Sequence, residues 1–293
     1  EDKLLETENP HWDMTERTRT IDVRAVQKRP VLGDIEQNLD VVVSSLRAAA
    51  ADGIDLVVYP ELFLTGYHVG GMGSDPNAHG EKPGSGDRPP SLSTLREEID
   101  DALARIAEHT TDLTAVLGTP FFEAGNVYNS AVIFDSGSMA GVYHKTHLYG
   151  EEASVFRPGA DLPTVETSAG TLGVEICYDL EFPEVARQLT LRNADVLVTI
   201  SANMRPFAHD QRTYSAARAL ENVRPHVLCN RIGEERGVEF FGGSRILDER
   251  GRPVTTADED AAAEITGSID LRAEGADTLQ YLEDRRPALY ERS

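Results

Sequence analysis

Three short segments of this 293-residue chain hold side chains that can do covalent chemistry. The first is Gly173-Val174-Glu175-Ile176-Cys177-Tyr178-Asp179-Leu180-Glu181-Phe182-Pro183-Glu184, an apolar run that stops at a cysteine. The run predicts a strand, and Pro183 suits the first turn of a helix, where its missing N–H is not needed. A thiol on such a strand-to-helix elbow has free backbone N–H groups beside it. Those groups and the helix dipole are expected to favour a thiolate and a developing oxyanion. A lone cysteine equally fits a small buried hydrophobe, so this segment alone does not decide.

The second segment, Ile54-Asp55-Leu56-Val57-Val58-Tyr59-Pro60-Glu61-Leu62-Phe63-Leu64, runs an apolar strand into a carboxylate. Open α/β folds place ligands at strand C-termini. The apolar neighbours of Glu61 predict desolvation, which moves a carboxyl toward general-base range; a turn cap facing water is the alternative. The third segment is Ala140-Gly141-Val142-Tyr143-His144-Lys145-Thr146-His147-Leu148-Tyr149-Gly150. Only four residues are lysine (Lys3, Lys28, Lys82 and Lys145) against 24 arginines. An ammonium kept at a strand end is a compact donor that can follow charge onto an intermediate, although a surface lysine reads the same way.

Together these segments resemble the nitrilase superfamily of carbon–nitrogen hydrolases, which uses a Glu, a Lys and a Cys in this chain order. The resemblance continues in Ser201-Ala202-Asn203-Met204, Arg218-Ala219-Leu220-Glu221-Asn222 and Phe241-Gly242-Gly243-Ser244, and covers residues 20–272. It implies an α/β fold, an α-β-β-α sandwich, in which two protomers join as an α-β-β-α/α-β-β-α homodimer. It also implies roles: Cys177 as nucleophile, Glu61 as proton shuttle, and Lys145 with the backbone N–H of Tyr178 as oxyanion donors. A second glutamate is expected after the lysine, and Glu152 is the choice, with Glu151 close behind. Neither a cofactor nor a metal is implied, and no Cys/His spacing suggests a zinc site.

The resemblance also bears on substrate. Cys177-Tyr178-Asp179 looks like an amidase branch, so the expected reaction converts a small aliphatic amide and water to acid and ammonia. Dicarboxylate-monoamide hydrolases of that branch carry Arg where this chain has Glu181, which disfavours a distal carboxylate and fits a neutral or amine-bearing amide. Glu181 pointing away to cap the helix at Pro183 is the alternative. Asn203 is expected to line the acyl pocket, with Tyr67 and Phe207 closing it, while Arg218, Glu221 and Asn222 form a structural set. The second reading is an N-carbamoyl amine hydrolase using the same residues. A non-catalytic binding member is a third, which thiol trapping would separate from the first two.

Composition bounds the rest. The formal charge is −22, from 50 acidic against 28 basic residues, which argues against nucleic acid or an anionic membrane as partner. Spread along a chain poor in lysine, this acidity reads as adaptation to high salt and a halophilic source. No apolar run approaches a membrane span, and the polar start Glu1-Asp2-Lys3-Leu4-Leu5-Glu6 has no signal-peptide core. Cys177 and Cys229 both sit in apolar segments, which suits free thiols in a reducing cytoplasm, with Cys229 buried and inert.

The elements that must position these groups alternate as in α/β chains. Residues 1–19 read as a polar arm, 20–272 as the hydrolase domain and 273–293 as a charged tail suited to packing on a neighbouring subunit. Strands are expected at 20–27, 54–59, 113–120, 127–135, 139–145, up to Cys177, 195–201, 227–231, 240–248 and 263–270. Helices are expected at 38–51, 91–109, 183–193 and 209–223. Residues 66–90, rich in Gly, Pro and His, form a long loop expected at the rim of the site.

Overall fold

The computed structural model describes residues 19–68, 91–271 and 280–290. The N-terminal arm before residue 19, most of the expected rim loop and parts of the tail lie outside the described residues. In chain order the elements are β1 (Thr20–Gln27), α1 (Ile35–Ala51), β2 (Leu56–Val58), α2 (Leu92–Ala107), β3 (Thr114–Glu123), β4 (Asn126–Asp135) and β5 (Ser138–His144). There follow β6 (Thr164–Thr167), β7 (Gly170–Ile176), α3 (Pro183–Leu191), β8 (Val196–Ser201), α4 (Ala208–Asn222) and β9 (His226–Asn230). The chain closes with β10 (Ile232–Glu235), β11 (Val238–Phe241), β12 (Arg245–Leu247), β13 (Pro253–Thr256) and β14 (Ala263–Asp270).

Two six-stranded sheets result, ordered β14-β1-β2-β3-β4-β5 and β13-β12-β9-β8-β7-β6. Their centres, β1-β2-β3 and β7-β8-β9, are parallel, and the remaining pairs are antiparallel. Strand parity builds the layers. Val23, Ala25, Leu56, Val58, Val116, Ala131 and Ile133 meet Val174, Ile176, Val196, Val198, Ile200 and Val227 between the sheets. The intervening Val26, Val57, Ala115, Leu117, Val132 and Phe134 pack under α1 and α2, while Val185, Ala186 and Leu189 of α3 cover the second sheet at Leu197. The order is helices, sheet, sheet, helices: the expected α-β-β-α sandwich.

Element boundaries differ where side chains, not periodicity, set them. Helix α1 starts at Ile35 rather than 38, because the Asp34 carboxylate accepts the Gln37 N–H at 3.0 Å and caps it. The strand expected at 240–248 is two strands, β11 and β12, split at Gly242-Gly243, which both take positive φ. The turn 248–252 joins β12 to β13, which pair antiparallel. β6, β10 and β13, of four residues each, escaped the pattern, and β11 was caught only at its end. β4 and β5 form a hairpin whose tight turn puts Ser136 (φ 52°) and Gly137 (φ 75°) in the left-handed region.

Candidate active site

The chemistry-bearing segments all leave the sheets at one end. Glu61 follows β2, Lys145 follows β5, Cys177 follows β7, and Ala202 and Asn203 follow β8. Beyond β2 the backbone of Pro60-Glu61-Leu62 crosses β3 so closely that a side chain at Gly118 would lie 2.2 Å from the Pro60 carbonyl oxygen. Gly159 does the same for the lysine segment: a Cβ there would lie 2.2 Å from the His144 carbonyl oxygen, and its own N–H donates to the Lys145 carbonyl at 2.8 Å. Cys177 opens a short 3-10 turn, Cys177–Glu181, with φ +47°, a left-handed conformation that costs a non-glycine residue roughly 1–2 kcal/mol. Such strain is a mark of functional elbows.

Glu61, Lys145 and Glu152 are fully or almost fully buried and bonded to one another. Lys145 Nζ donates to Glu61 Oε1 at 2.7 Å and to Glu152 Oε1 at 2.8 Å. Asn129 Nδ2 donates to the same Glu61 oxygen at 2.7 Å, and the Ala202 N–H donates to Glu61 Oε2 at 2.8 Å. Glu152 also accepts the Tyr67 hydroxyl at 2.8 Å and the Tyr149 N–H at 3.0 Å. Glu151 is exposed, so the choice between the two glutamates falls on Glu152. Burial alone would lower the Lys145 pKa, but the Glu152 and Glu61 carboxylates outweigh it and hold the ammonium charged. Burial raises the Glu152 pKa against the pull of Lys145, and burial likewise raises that of Tyr67, which keeps its hydroxyl proton for Glu152.

One expectation is overturned. The helix-start environment was expected to favour a thiolate at Cys177, but enclosure by protein and then the Glu61 charge push its pKa up, and Lys145 offsets them only in part. Folding therefore raises the Cys177 pKa where the local sequence suggested that it would fall.

Cys177 opens into a cavity of about 210 Å³. Tyr67, Tyr149 and Tyr178 form part of its wall; Asn203, Met204 and Phe207 come from the segment after β8. Glu181 and Asp210 complete it, so Glu181 faces the cavity and does not cap α3, whose N-cap Phe182 makes no side-chain cap bond. Asn203 is fixed by its N–H to Asn230 Oδ1 at 2.8 Å. Arg218, Glu221 and Asn222 form the expected structural set: Arg218 pairs with Glu221 at 3.1 Å, and Asn222 bonds the Arg218 carbonyl. Cys229 is buried, its thiol directed at the Val58 and Val26 carbonyls, and both cysteines are free.

Sequence reasoning missed Asn129, Asp179 and Asp210. Asn129 shares the inter-sheet parity of Ala131 and Ile133, and a polar residue there was a usable signal. Asp179 is fully buried and accepts five bonds: from Tyr143 Oη (2.8 Å), Thr146 Oγ1 (2.8 Å), the His147 N–H (2.8 Å), His147 Nδ1 (2.9 Å) and the Ile176 N–H (3.1 Å). It ties the turn after Lys145 to the elbow of Cys177. Asp210 gave no local signal.

The carbon-nitrogen hydrolase profile matches residues 22–277. The chain belongs to the carbon–nitrogen hydrolase family. As a member it is a hydrolase of carbon–nitrogen bonds. A probable nitrilase of Schizosaccharomyces pombe is 34% identical over 281 residues, 92% of this chain and 97% of that protein. An (R)-stereoselective amidase of Pseudomonas sp. is 33% identical over 256 residues, 87% of each chain. Among solved structures, a variant of the amidase from Nesterenkonia sp. AN1 superimposes on this hydrolase with a TM-score of 0.77 at 25% identity, covering 92% of this chain and 95% of that one. That structure shows covalent addition of the acetamide moiety of fluoroacetamide at its active-site cysteine. No helix among the described residues is long and apolar enough to cross a membrane.

Proposed function

We propose that this hydrolase converts a small aliphatic carboxylic amide to its acid and ammonia through a thioester on Cys177. The observation that carries the reading is the buried Lys145 ammonium bridging Glu61 and Glu152 beside a cavity into which a strained cysteine opens. Glu61 takes the thiol proton as Sγ bonds to the carbonyl carbon. The oxyanion is met by Lys145 and by the Tyr178 N–H, which as the second residue of a 3-10 turn has no partner within that turn. Collapse breaks the C–N bond, and Glu61 gives its proton to the departing ammonia. Glu61 then takes a proton from water, whose oxygen bonds to the acyl carbon, and returns that proton to sulfur as the acid leaves. Glu152 holds Lys145 in place. The covalent acetamide adduct on the cysteine of the Nesterenkonia amidase supports a nucleophilic thiol, and the amidase relative from Pseudomonas supports an amide as the substrate.

The test is ammonia release from short amides, N-carbamoyl amines and nitriles, with intact-mass detection of an acyl adduct. Cys177→Ala is expected to abolish release and adduct together, and full activity of that variant would refute the mechanism. The charge of −22 supports a halophilic setting as part of this reading. The melting temperature is then expected to rise with KCl from dilute buffer to multimolar salt, as screening relieves acidic self-repulsion. A melting temperature indifferent to salt would count against it.

A further inference from the structure

The wall of the cavity carries charge that hydrolysis itself does not use. Glu181 enters from the elbow turn and Asp210 from the first turn of α4, so two separate elements bring carboxylates to one space of about 210 Å³. Partial burial and then the charge of Asp210 raise the pKa of Glu181, so the two groups repel each other. Neither has an ion-pair or hydrogen-bond partner among the described residues. The α4 dipole favours Asp210 alone. Lys145, the cation whose charge acts on the Cys177 sulfur, is already bonded to two carboxylates. Both carboxylates stay open to solvent on the cavity side, whereas the buried Glu235 is held by Arg231 and His68, and the buried Asp179 by five donors.

We propose, resting on the amidase reading above, that the acyl part of the substrate carries a protonated amine, which Glu181 and Asp210 bind in the same cavity as the Cys177 thiol. Three features of the cavity fit such a ligand. Its volume is that of about seven waters, the size of a short amino-alkyl amide. Its aromatic walls, Tyr149, Tyr178 and Phe207, offer faces that attract an ammonium. Its two carboxylates repel a distal carboxylate and leave a neutral alkyl chain without a polar partner, so the site discriminates by rejection as well as by attraction.

The experiment compares 4-aminobutanamide with pentanamide, which replaces the ammonium by a methyl group, and with glutaramate, which carries a distal carboxylate. Steady-state kcat/KM is measured for the wild type, Glu181→Gln, Asp210→Asn and the double variant. Binding of the same amides to Cys177→Ser is measured by calorimetry, so that recognition is read without turnover. The wild type is expected to prefer the cationic amide over pentanamide by ~10–100-fold, mostly in KM. In the double variant the ratio is expected to fall to within ~3-fold, and Glu181→Arg is expected to shift preference toward glutaramate. Equal use of both amides, or a preference that survives the double variant, overturns the proposal while leaving the amidase reading intact. Selective binding of the cationic amide to Cys177→Ser with no ammonia release from wild type would uphold the subsite and refute the amidase reading. No selectivity in binding and no release would overturn both.

Discussion

Gly118→Ala tests whether the base is positioned by backbone contact. Gly118 lies in β3, under the segment that carries Glu61. A Cβ there would lie 2.2 Å from the Pro60 carbonyl oxygen, 2.5 Å from Glu61 Cα and 2.5 Å from the Leu62 nitrogen, where ordinary contact begins at 3.4 Å. All three neighbours are backbone, so no side chain can rotate away. The crossing segment must retreat by about 1 Å, which is the shortfall at the Pro60 oxygen. That segment holds a carboxylate fixed by three bonds of 2.7, 2.7 and 2.8 Å from Asn129, Lys145 and Ala202. A displacement of that size at a reacting group costs ~10²-fold in rate. The strain itself costs roughly 1–3 kcal/mol, or about 2–4 °C of melting temperature per kcal/mol. The assay is kcat on the amide turned over fastest, with thermal melting alongside. Gly125→Ala is the control, because Gly125 (φ +80°) has nothing within 4 Å of its added Cβ. It is expected to lose roughly 1–2 kcal/mol of stability and to keep its rate within ~2-fold. A Gly118→Ala protein that melts normally and turns over within ~3-fold of wild type would refute the argument.

Asp179→Asn replaces an acceptor of five bonds by a group with one acceptor and one donor. Whichever oxygen is lost, one backbone N–H, that of Ile176 or of His147, then faces a donor, while the Tyr143 and Thr146 hydroxyls and the His147 ring can turn to accept, so a loss of roughly 1–3 kcal/mol and a matching fall in melting temperature are expected, and a shift under 1 °C would rule this out. The pH dependence of stability turns on Glu175 and His226, both fully buried and joined through the Thr199 hydroxyl at 2.7 and 2.6 Å. That hydroxyl has one proton for two acceptors. Burial raises the Glu175 pKa to about 7 and lowers that of His226 to about 4. The Glu175 contribution is full below its ordinary 4.5 and is lost as pH rises through 7; the His226 contribution is full above its ordinary 6.5 and is lost as pH falls through 4. The two slopes oppose each other between pH 4.5 and 6.5. Glu175→Gln is therefore expected to lose stability on acidification from pH 6.5 to 4.5 more steeply than wild type, read as melting temperature against pH. Parallel curves for the two proteins would show that Glu175 does not titrate in this window.

The catalytic vocabulary of this chain was legible because it is local. An apolar strand that ends in Glu61, Lys145 or Cys177 can be read by eye, whereas which face of β1 to β4 meets the second sheet came only with the fold. Lys145, one of only four lysines in a chain rich in arginine, was similarly informative, since the two cations differ in donor geometry. Shorter elements were not legible: β10 and β11 contain four residues each and are held by pairing, not by periodicity.

What the sequence by itself determined, then, was the candidate reacting groups, which lie in runs of residues adjacent in the chain, and the sandwich implied by the family resemblance those runs carry. Only the tertiary structure decided which groups meet. Asn129, 68 residues from Glu61, became its partner, and Ala202, 141 residues away, supplied a backbone N–H to it. The rise in the Cys177 pKa was decided there too, because enclosure and a neighbouring carboxylate arrive only with folding. So was the charge of the cavity: Glu181 could have capped a helix or faced the substrate, and Asp210 gave no sign of either. Their meeting depends on how the elbow and α4 pack, and electrostatic energy depends on distance in space and on exclusion of water, neither of which is a property of sequence position.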